Sequence, residues 1–319
     1  MHRLLLGGFF MVSNKKSNQL FHEYFGEWIE VYKEGAIREI SLQKYYITQR
    51  YLEDLIPELK ISELNRREYQ LLLNRYALTH ERQTTMDFHH QVKGAILDAL
   101  DEGLLKNNPT RKVIIKGVAP REKKSKFLNQ FEVQLLIKEL DLGPNLNWDW
   151  FLLLICKTGI RYAEALAITP DDFDFSRQIL TINKTWNYKK TNGGFEPTKN
   201  TSSNRKIQLD WQTAMQFSQL VKGLEADYPI FVKSRPFNST INNRLKVICT
   251  SCDIPIITVH SLRHTHASLL LYAGVSIATV AKRLGHSNMN ITQKTYLHII
   301  NELESKDNDK IMTYLANLM

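Results

Sequence analysis

Cysteine is scarce in this chain of 319 residues: Cys156, Cys249 and Cys252 are the only three. So few exclude a disulfide framework and fit a reducing, cytoplasmic setting. Long apolar runs are also missing. None approaches the roughly 18 residues that a membrane-spanning helix needs, so no membrane partner is expected. The nearest approach is the short run in MHRLLLGGFFMVSNKKS, which lacks the small-residue cleavage site of an export signal. A translation start at Met11 in place of Met1 removes that run altogether. Internal repeats and low-complexity tracts are absent. Acidic residues are in deficit, 33 against 42 Lys plus Arg, which leaves a net charge of +9. That excess points to a polyanionic partner without deciding between nucleic acid and a membrane surface.

What is present is helical. In LFHEYFGEWIEVY the residues Leu20, Phe21, Tyr24, Phe25, Trp28 and Tyr32 fall on one helical face. A second segment starts at Ser41, with Tyr45, Leu52 and Leu55 or Ile56 inward. A third starts near Ser62 and carries Tyr69, Leu72, Leu73 and Tyr76. A fourth runs from about Thr84 with Phe88, Val92, Ala95, Ile96 and Ala99, and stops at Gly103. Four such helices with short joints predict a small bundle over 17–109, behind a tail of 1–16. Residues 110–126 (TRKVIIKGVAPREKKSK) then hold seven basic side chains against one acidic. They form either a solvated linker or a strap that touches phosphates; Lys112, Lys116, Arg121, Lys123 and Lys124 are its candidate contacts.

Helical patterning resumes near Asn129. FLLLICKTGI (151–160) predicts a buried helix ending at Gly159, QILTINKTW (178–186) a strand, and NRKIQLD (204–210) its return strand across a polar loop. Helices dominate again from Ser261. The expected fold class is mainly α with a small β-sheet or hairpin (α+β): a helical bundle followed by a mixed domain over 127–300. A tail of 301–319 carries an apolar stripe of Ile311, Leu315 and Leu318.

Three stretches could carry chemistry. TGIRYAEAL places Arg161 straight after a helix-ending glycine with Glu164 one turn later, so a carboxylate can hold a planar fork of donors. A surface Arg–Glu pair has the same spacing. VHSLRHTHASLLLYAG puts His260 and Arg263 three apart at a helix start, a combination suited to an anion. The following His264 and His266 read as packing or hydrogen-bonding residues. VAKRLGHSNMNITQKTYLHI ends a helix at Gly285, places His286 next, and Tyr296 ten residues later. A zinc site is the rival reading of Cys249-x2-Cys252-x7-His260-x3-His264, although the seven-residue gap is short and the cysteines also suit ordinary packing.

In order and spacing these stretches together resemble the tyrosine recombinases, also called the phage integrase family, across roughly 127–300; the helical first domain is compatible with that family's core-DNA-binding domain. The resemblance implies a pocket of Arg161, Lys199, His260, Arg263 and His286 around a nucleophile, Tyr296, with Glu164 behind Arg161. Lys199 is taken from EPTKNTSSNRKIQLD, which departs slightly from the family wording, so Lys190 and Lys206 stand as fallbacks; Arg205 in the same stretch is a further DNA-contact candidate. It implies an enzyme that cuts and rejoins double-stranded DNA at attachment or recombination sites through a 3′-phosphotyrosyl bond, with no metal, cofactor or ATP. It also implies a homotetramer on DNA that is monomeric or weakly associated when free, with the 301–319 tail packing on a neighbouring protomer and accessory bending or directionality factors. The wording RHTHASLLLYAG favours an integrase of a phage or mobile element. A Xer-like resolvase, a type IB topoisomerase-like enzyme and a DNA-binding regulator without catalysis are the alternatives.

Overall fold

The computed structural model describes residues 18–119, 127–297, 299, 312 and 315–317. The chain divides into two compact units that part between 122 and 123. The tail 1–16, Arg121, Lys123, Lys124, Ile311 and Leu318 therefore lie outside the described residues.

The first unit contains helices α1 (Phe21–Tyr32), α2 (Glu39–Leu55), α3 (Arg66–Ala77) and α4 (Arg82–Asp101). Each owes its place to an apolar stripe. Phe21, Tyr24, Phe25, Trp28 and Ile29 of α1 meet Leu72 and Leu73 of α3 and Phe88, Val92 and Ile96 of α4 in one core. Trp28 keeps its indole N–H satisfied by donating to Asp98 Oδ2 at 2.6 Å. Two boundaries differ from expectation. The second helix begins at Glu39, and the third begins at Arg66 because Asn65 caps it, its side chain accepting from the backbone N–H of Arg67 and Glu68. Tyr32, expected inward, is 46% exposed, since the core stripe drifts off it at the end of α1.

Much of the expected linker is fastened to this unit. Gln70 exchanges hydrogen bonds with the backbone of Ile114, Arg66 donates to Lys112 O, and Val118 N–H donates to His80 O. Val113 and Ile115 pack on the core between these ties. Lys112 and Lys116 remain exposed along the outer side of the strap.

The second unit is built around α6 (Trp148–Thr158), preceded by α5 (Gln130–Glu139), whose Asn129 and Glu132 form a capping box. Almost every residue of α6 is buried, as a helix that is apolar all round must be. The short α7 (Tyr162–Leu166) follows. Strands β1 (Phe173–Asp174), β2 (Ile179–Ile182) and β5 (Arg205–Gln208) make an antiparallel sheet in the order β1-β2-β5, with Leu180 opposite Ile207. The run expected as one strand over 178–186 is two: after Ile182 it continues as β3 (Lys184–Trp186), which pairs with β4 (Phe195–Pro197) in a separate hairpin. The remaining helices are α8 (Trp211–Leu220), α9 (Asn238–Ser251), α10 (Val259–Tyr272), α11 (Ile277–Leu284) and α12 (Met289–Thr295). Helix α10 packs on both α6 and α11. A satellite core of Ala267, Leu271, Val280, Leu284 and Ile299 encloses Tyr296.

The cysteine pair is packing material. Cys249 is fully buried in the main core, and Cys252 Sγ sits 3.7 Å from Leu135 O.

Candidate active site

The site grows from two helix ends. Helices α6 and α11 both stop at a glycine in the left-handed region, Gly159 at φ 67° and Gly285 at φ 69°. A side chain is excluded there twice over: a Cβ on Gly159 would lie 2.6 Å from His266 Cδ2, and one on Gly285 3.0 Å from an Arg205 nitrogen. A helix end leaves its last carbonyls without intrahelical partners and carries a partial negative charge. Three arginines satisfy them. Arg263 donates to Gly159 O and Leu284 O, each at 2.7 Å. Arg161 donates to Gly285 O at 3.0 Å, and Arg205 Nε to Arg283 O at 2.7 Å. The end of α11 is thus the hub on which all three guanidiniums are hung.

Glu164 closes the arrangement from behind. Its carboxylate, 1% exposed, accepts from Arg161 N–H at 2.8 Å and the Arg161 guanidinium at 2.6 Å. It also accepts two bonds from Arg205, at 2.9 and 3.3 Å. Burial pushes this carboxyl up, but the Arg205 and Arg161 charges and hydrogen bonds outweigh it and hold the group below the usual carboxylate range. Arg161 and Glu164 are therefore no surface pair. The three arginines differ in what they leave free. Arg205 is only 5% exposed and Arg263 4%, whereas Arg161 keeps 30% of its side chain open. Arg205, expected among the DNA contacts, is spent on Glu164, Ser203 O and Arg283 O, so it builds the pocket wall instead.

The histidines divide by role. His266 is structural: Nδ1 bonds Cys156 O at 2.9 Å while Nε2 accepts from Arg283 Nε at 2.9 Å, which fixes the neutral Nδ1–H tautomer. Burial, with Arg283 beside it, drives that imidazole down to about 3. His286 follows Gly285 and bonds Thr292 Oγ1 through Nδ1 at 2.7 Å. Burial and then the charges of Arg263, Arg161 and Arg205 lower it to about 4. His260, exposed at the start of α10 behind the Thr258 cap, is lowered by desolvation and by Arg263 and Arg161. Both imidazoles share the field of the same guanidiniums and are neutral at pH 7.

Tyr296 is 2% exposed, and its hydroxyl lies 2.9 Å from His264 Nδ1. Burial raises the phenol to about 12 although Arg263 pulls the other way. His264, expected as a packing or hydrogen-bonding residue, does hydrogen-bond, and the structure adds that its partner is the Tyr296 hydroxyl. A detectable signal existed: His260 and His264 are four apart, an i, i+4 pair on one helix face, and their ring centroids stand 5.0 Å apart, edge to face. Lys199 is exposed in the turn after β4, with no hydrogen bond or ion pair among the described residues. The turn itself is tight: Asn200 Oδ1 accepts from Ser203 N–H and Oγ, and Ser203 Oγ in turn accepts from Arg161 at 3.3 Å. Of the fallbacks, Lys190 pairs with Glu196 at 3.7 Å and Lys206 points outward from β5.

Guanidiniums on fixed carbonyls, neutral imidazoles and a buried tyrosine define a site for phosphoryl chemistry on an anionic ester. Comparison with known proteins gives the class its family. The profile of the phage integrase family matches residues 126–302. The integrase of Staphylococcus phage L54a is 24% identical over 94% of this chain and 96% of its own. The ICEBs1 integrase of Bacillus subtilis (strain 168) is 25% identical over 83% of this chain and 75% of its own. Among solved structures, the Tn1549 transposon integrase in complex with a circular intermediate DNA superimposes with a TM-score of 0.72 at 16% identity, covering 86% of this chain and 94% of that one. A lambda integrase dimer bound to a COC′ core site gives 0.65 at 15% identity, covering 92% and 81%. The chain belongs to the phage integrase family, the tyrosine recombinases, and is an enzyme of DNA cleavage and religation. Among the described residues no helix is long and apolar enough to cross a membrane.

Proposed function

We propose that this recombinase integrates and excises a phage or other mobile element, cutting double-stranded attachment-site DNA through a 3′-phosphotyrosyl bond to Tyr296. The observation that carries the reading is the arginine cluster on the α11 terminus, with Tyr296 and His264 beside it. Attack on a phosphodiester develops charge on the non-bridging oxygens. Arg161 and Arg263, held in fixed orientation by carbonyls, stabilise that charge without reorganising. His260 and His286, neutral and adjacent, donate hydrogen bonds to the same oxygens. Lys199, on a flexible stem in its exposed turn, protonates the departing 5′-oxygen. The phosphotyrosyl bond conserves the energy of the ester, so neither ATP nor a metal enters the cycle. A second 5′-hydroxyl then reverses the step and completes strand exchange.

On DNA each of the two domains, 17–109 and 127–300, contacts the duplex. The strap lysines Lys112 and Lys116, with Arg121, Lys123 and Lys124, neutralise phosphates. Strand exchange between two sites needs four active tyrosines, hence a tetramer assembled on DNA from weakly associating chains through the 301–319 tail. Accessory bending or directionality proteins set whether the element enters or leaves. The test is a suicide substrate nicked beside the cleavage point. The wild type traps a covalent complex, Tyr296→Phe forms none while binding DNA as before, and EDTA changes neither result. An adduct on Tyr296→Phe, or inhibition by EDTA, refutes the scheme.

A further inference from the structure

We infer that His264 is the base that takes the Tyr296 proton, a catalytic role distinct from those of His260 and His286 and resting on Tyr296 as the nucleophile. The phenol proton has to be directed somewhere. Tyr296 is 2% exposed, so water is not its acceptor, and among the described residues its hydroxyl has one hydrogen-bond partner, His264 Nδ1 at 2.9 Å. With the phenol as donor, Nδ1 must carry the lone pair and Nε2 the hydrogen. The two histidines expected near the tyrosine are differently engaged: His286 Nδ1 is bound to Thr292 Oγ1 at 2.7 Å. His260 touches the arrangement through His264, ring to ring.

Geometry keeps this pair in register. His264 sits on α10, one residue from Arg263, which α10 anchors to the ends of α6 and α11. Tyr296 is held in the satellite core under α10 and α11 by Leu271, Val280 and Leu284. The same helix therefore positions the phosphate ligand and the base, with the nucleophile between them in charge terms. In the step itself, the Tyr296 oxygen forms the bond to phosphorus as its proton passes to His264 Nδ1, giving an imidazolium. The bond from phosphorus to the 5′-oxygen breaks, and that oxygen takes its proton from the acid, Lys199. On religation the incoming 5′-hydroxyl gives its proton to the neutral Lys199 amine as its oxygen bonds to phosphorus, and the imidazolium returns its proton to the departing phenol. Protons therefore balance over the cycle, Lys199 is again an ammonium and His264 ends neutral. His260, exposed and in ring contact with His264, is the imidazole next to that charge.

The test measures single-turnover formation of the covalent complex on the nicked substrate with full-length protein. His264→Asn keeps an acceptor near the Nδ1 position but cannot hold a proton. A base of this kind contributes about 10²–10⁴-fold, so His264→Asn should slow the adduct by that factor while leaving DNA affinity unchanged. A 3,5-difluorotyrosine at position 296, whose phenol ionises more readily, should recover much of the lost rate in His264→Asn and change the wild type little. A His264→Asn rate within about threefold of wild type overturns the assignment. So does an equal effect of the fluorinated tyrosine in both backgrounds, which would make His264 a positioning residue only. If Asn at 264 prevents folding, the fluorinated wild type decides alone: a rate that climbs tenfold per pH unit with the phenolate population excludes a protein base. Tyr296→Phe separates the two layers of argument. An adduct that survives Tyr296→Phe removes the nucleophile and this inference with it. An adduct lost in Tyr296→Phe and unaffected by His264→Asn removes the inference alone.

Discussion

Glu164→Gln changes one atom and leaves the shape of the site intact, yet it should be among the most damaging substitutions in the catalytic unit. The carboxylate is 1% exposed and is the only acid hydrogen-bonded to Arg161 and Arg205 among the described residues. Neutralising it leaves Arg205, itself 5% exposed, as a buried cation without its counter-charge. Breaking a buried pair by removing one partner costs about 3–5 kcal/mol. For a unit of this size each kcal/mol moves the melting temperature by about 2–4 °C, so a fall of roughly 6–20 °C is expected. Scanning calorimetry of the full chain should assign that fall to the transition of the catalytic unit and leave the first unit's transition in place. Arg161 loses one of its two bonds to this side chain and gains an N–H facing it, so adduct formation should drop by about 10²–10³, the usual cost of misplacing one charge-stabilising donor. A melting shift under about 3 °C with normal cleavage would refute the idea that this carboxylate holds the pocket together.

Two other outcomes follow from the same geometry. Gly159→Ala forces an L side chain into φ 67° and drives its Cβ to 2.6 Å from His266. The backbone alone costs about 1–2 kcal/mol, and urea denaturation should show at least that; a neutral substitution would mean that α6 does not end as described. Acid should weaken both units. His266 (about 3), His286 (about 4) and His89 (about 4) are all depressed chiefly by burial. The unfolded imidazoles titrate near 6.5, so below that pH the unfolded chain takes up protons that the folded one refuses. Stability contributed above pH 6.5 is lost as pH falls toward 4, at about 1.4 kcal/mol per pH unit for the buried His266 alone. Melting temperatures that stay flat between pH 6.5 and 5 would show these rings to be solvated.

Much of the architecture was legible because it depends on local pattern. Phe88, Val92, Ala95, Ile96 and Ala99 repeat at helical spacing and are all buried, and Gly159 and Gly285 end their helices where a left-handed residue was expected. The β3–β4 hairpin was not legible. Its three-residue strands show no clear alternation of buried and exposed positions, so QILTINKTW reads as one strand although its halves join different sheets. Arg205 looked like a surface cation because nothing local reveals a carboxylate 41 residues away in sequence. For His264 the hydrogen-bonding character was legible but its partner was not: the four-residue step from His260 places both rings on one helix face, whereas Tyr296 lies 32 residues further on.

The charge balance of the pocket explains why such a costly arrangement persists. Three guanidiniums face one carboxylate, and both nearby imidazoles are neutral, so two positive charges remain uncompensated. The strain is visible in Arg263, which burial and then Arg161 lower to about 9. Helix-end carbonyls offset part of this, but as partial charges they cannot neutralise it. A phosphodiester brings one negative charge. The pentacoordinate state reached when a deprotonated phenol adds carries two, so it offsets more of the guanidinium surplus than the bound ester does. Under the proposed mechanism the pocket is therefore more complementary to the transition state than to bound DNA, and only that difference accelerates a reaction. The same surplus makes a proton on His260 or His286 unfavourable before DNA arrives. His264 differs from both in position, since its Nδ1 faces the Tyr296 hydroxyl.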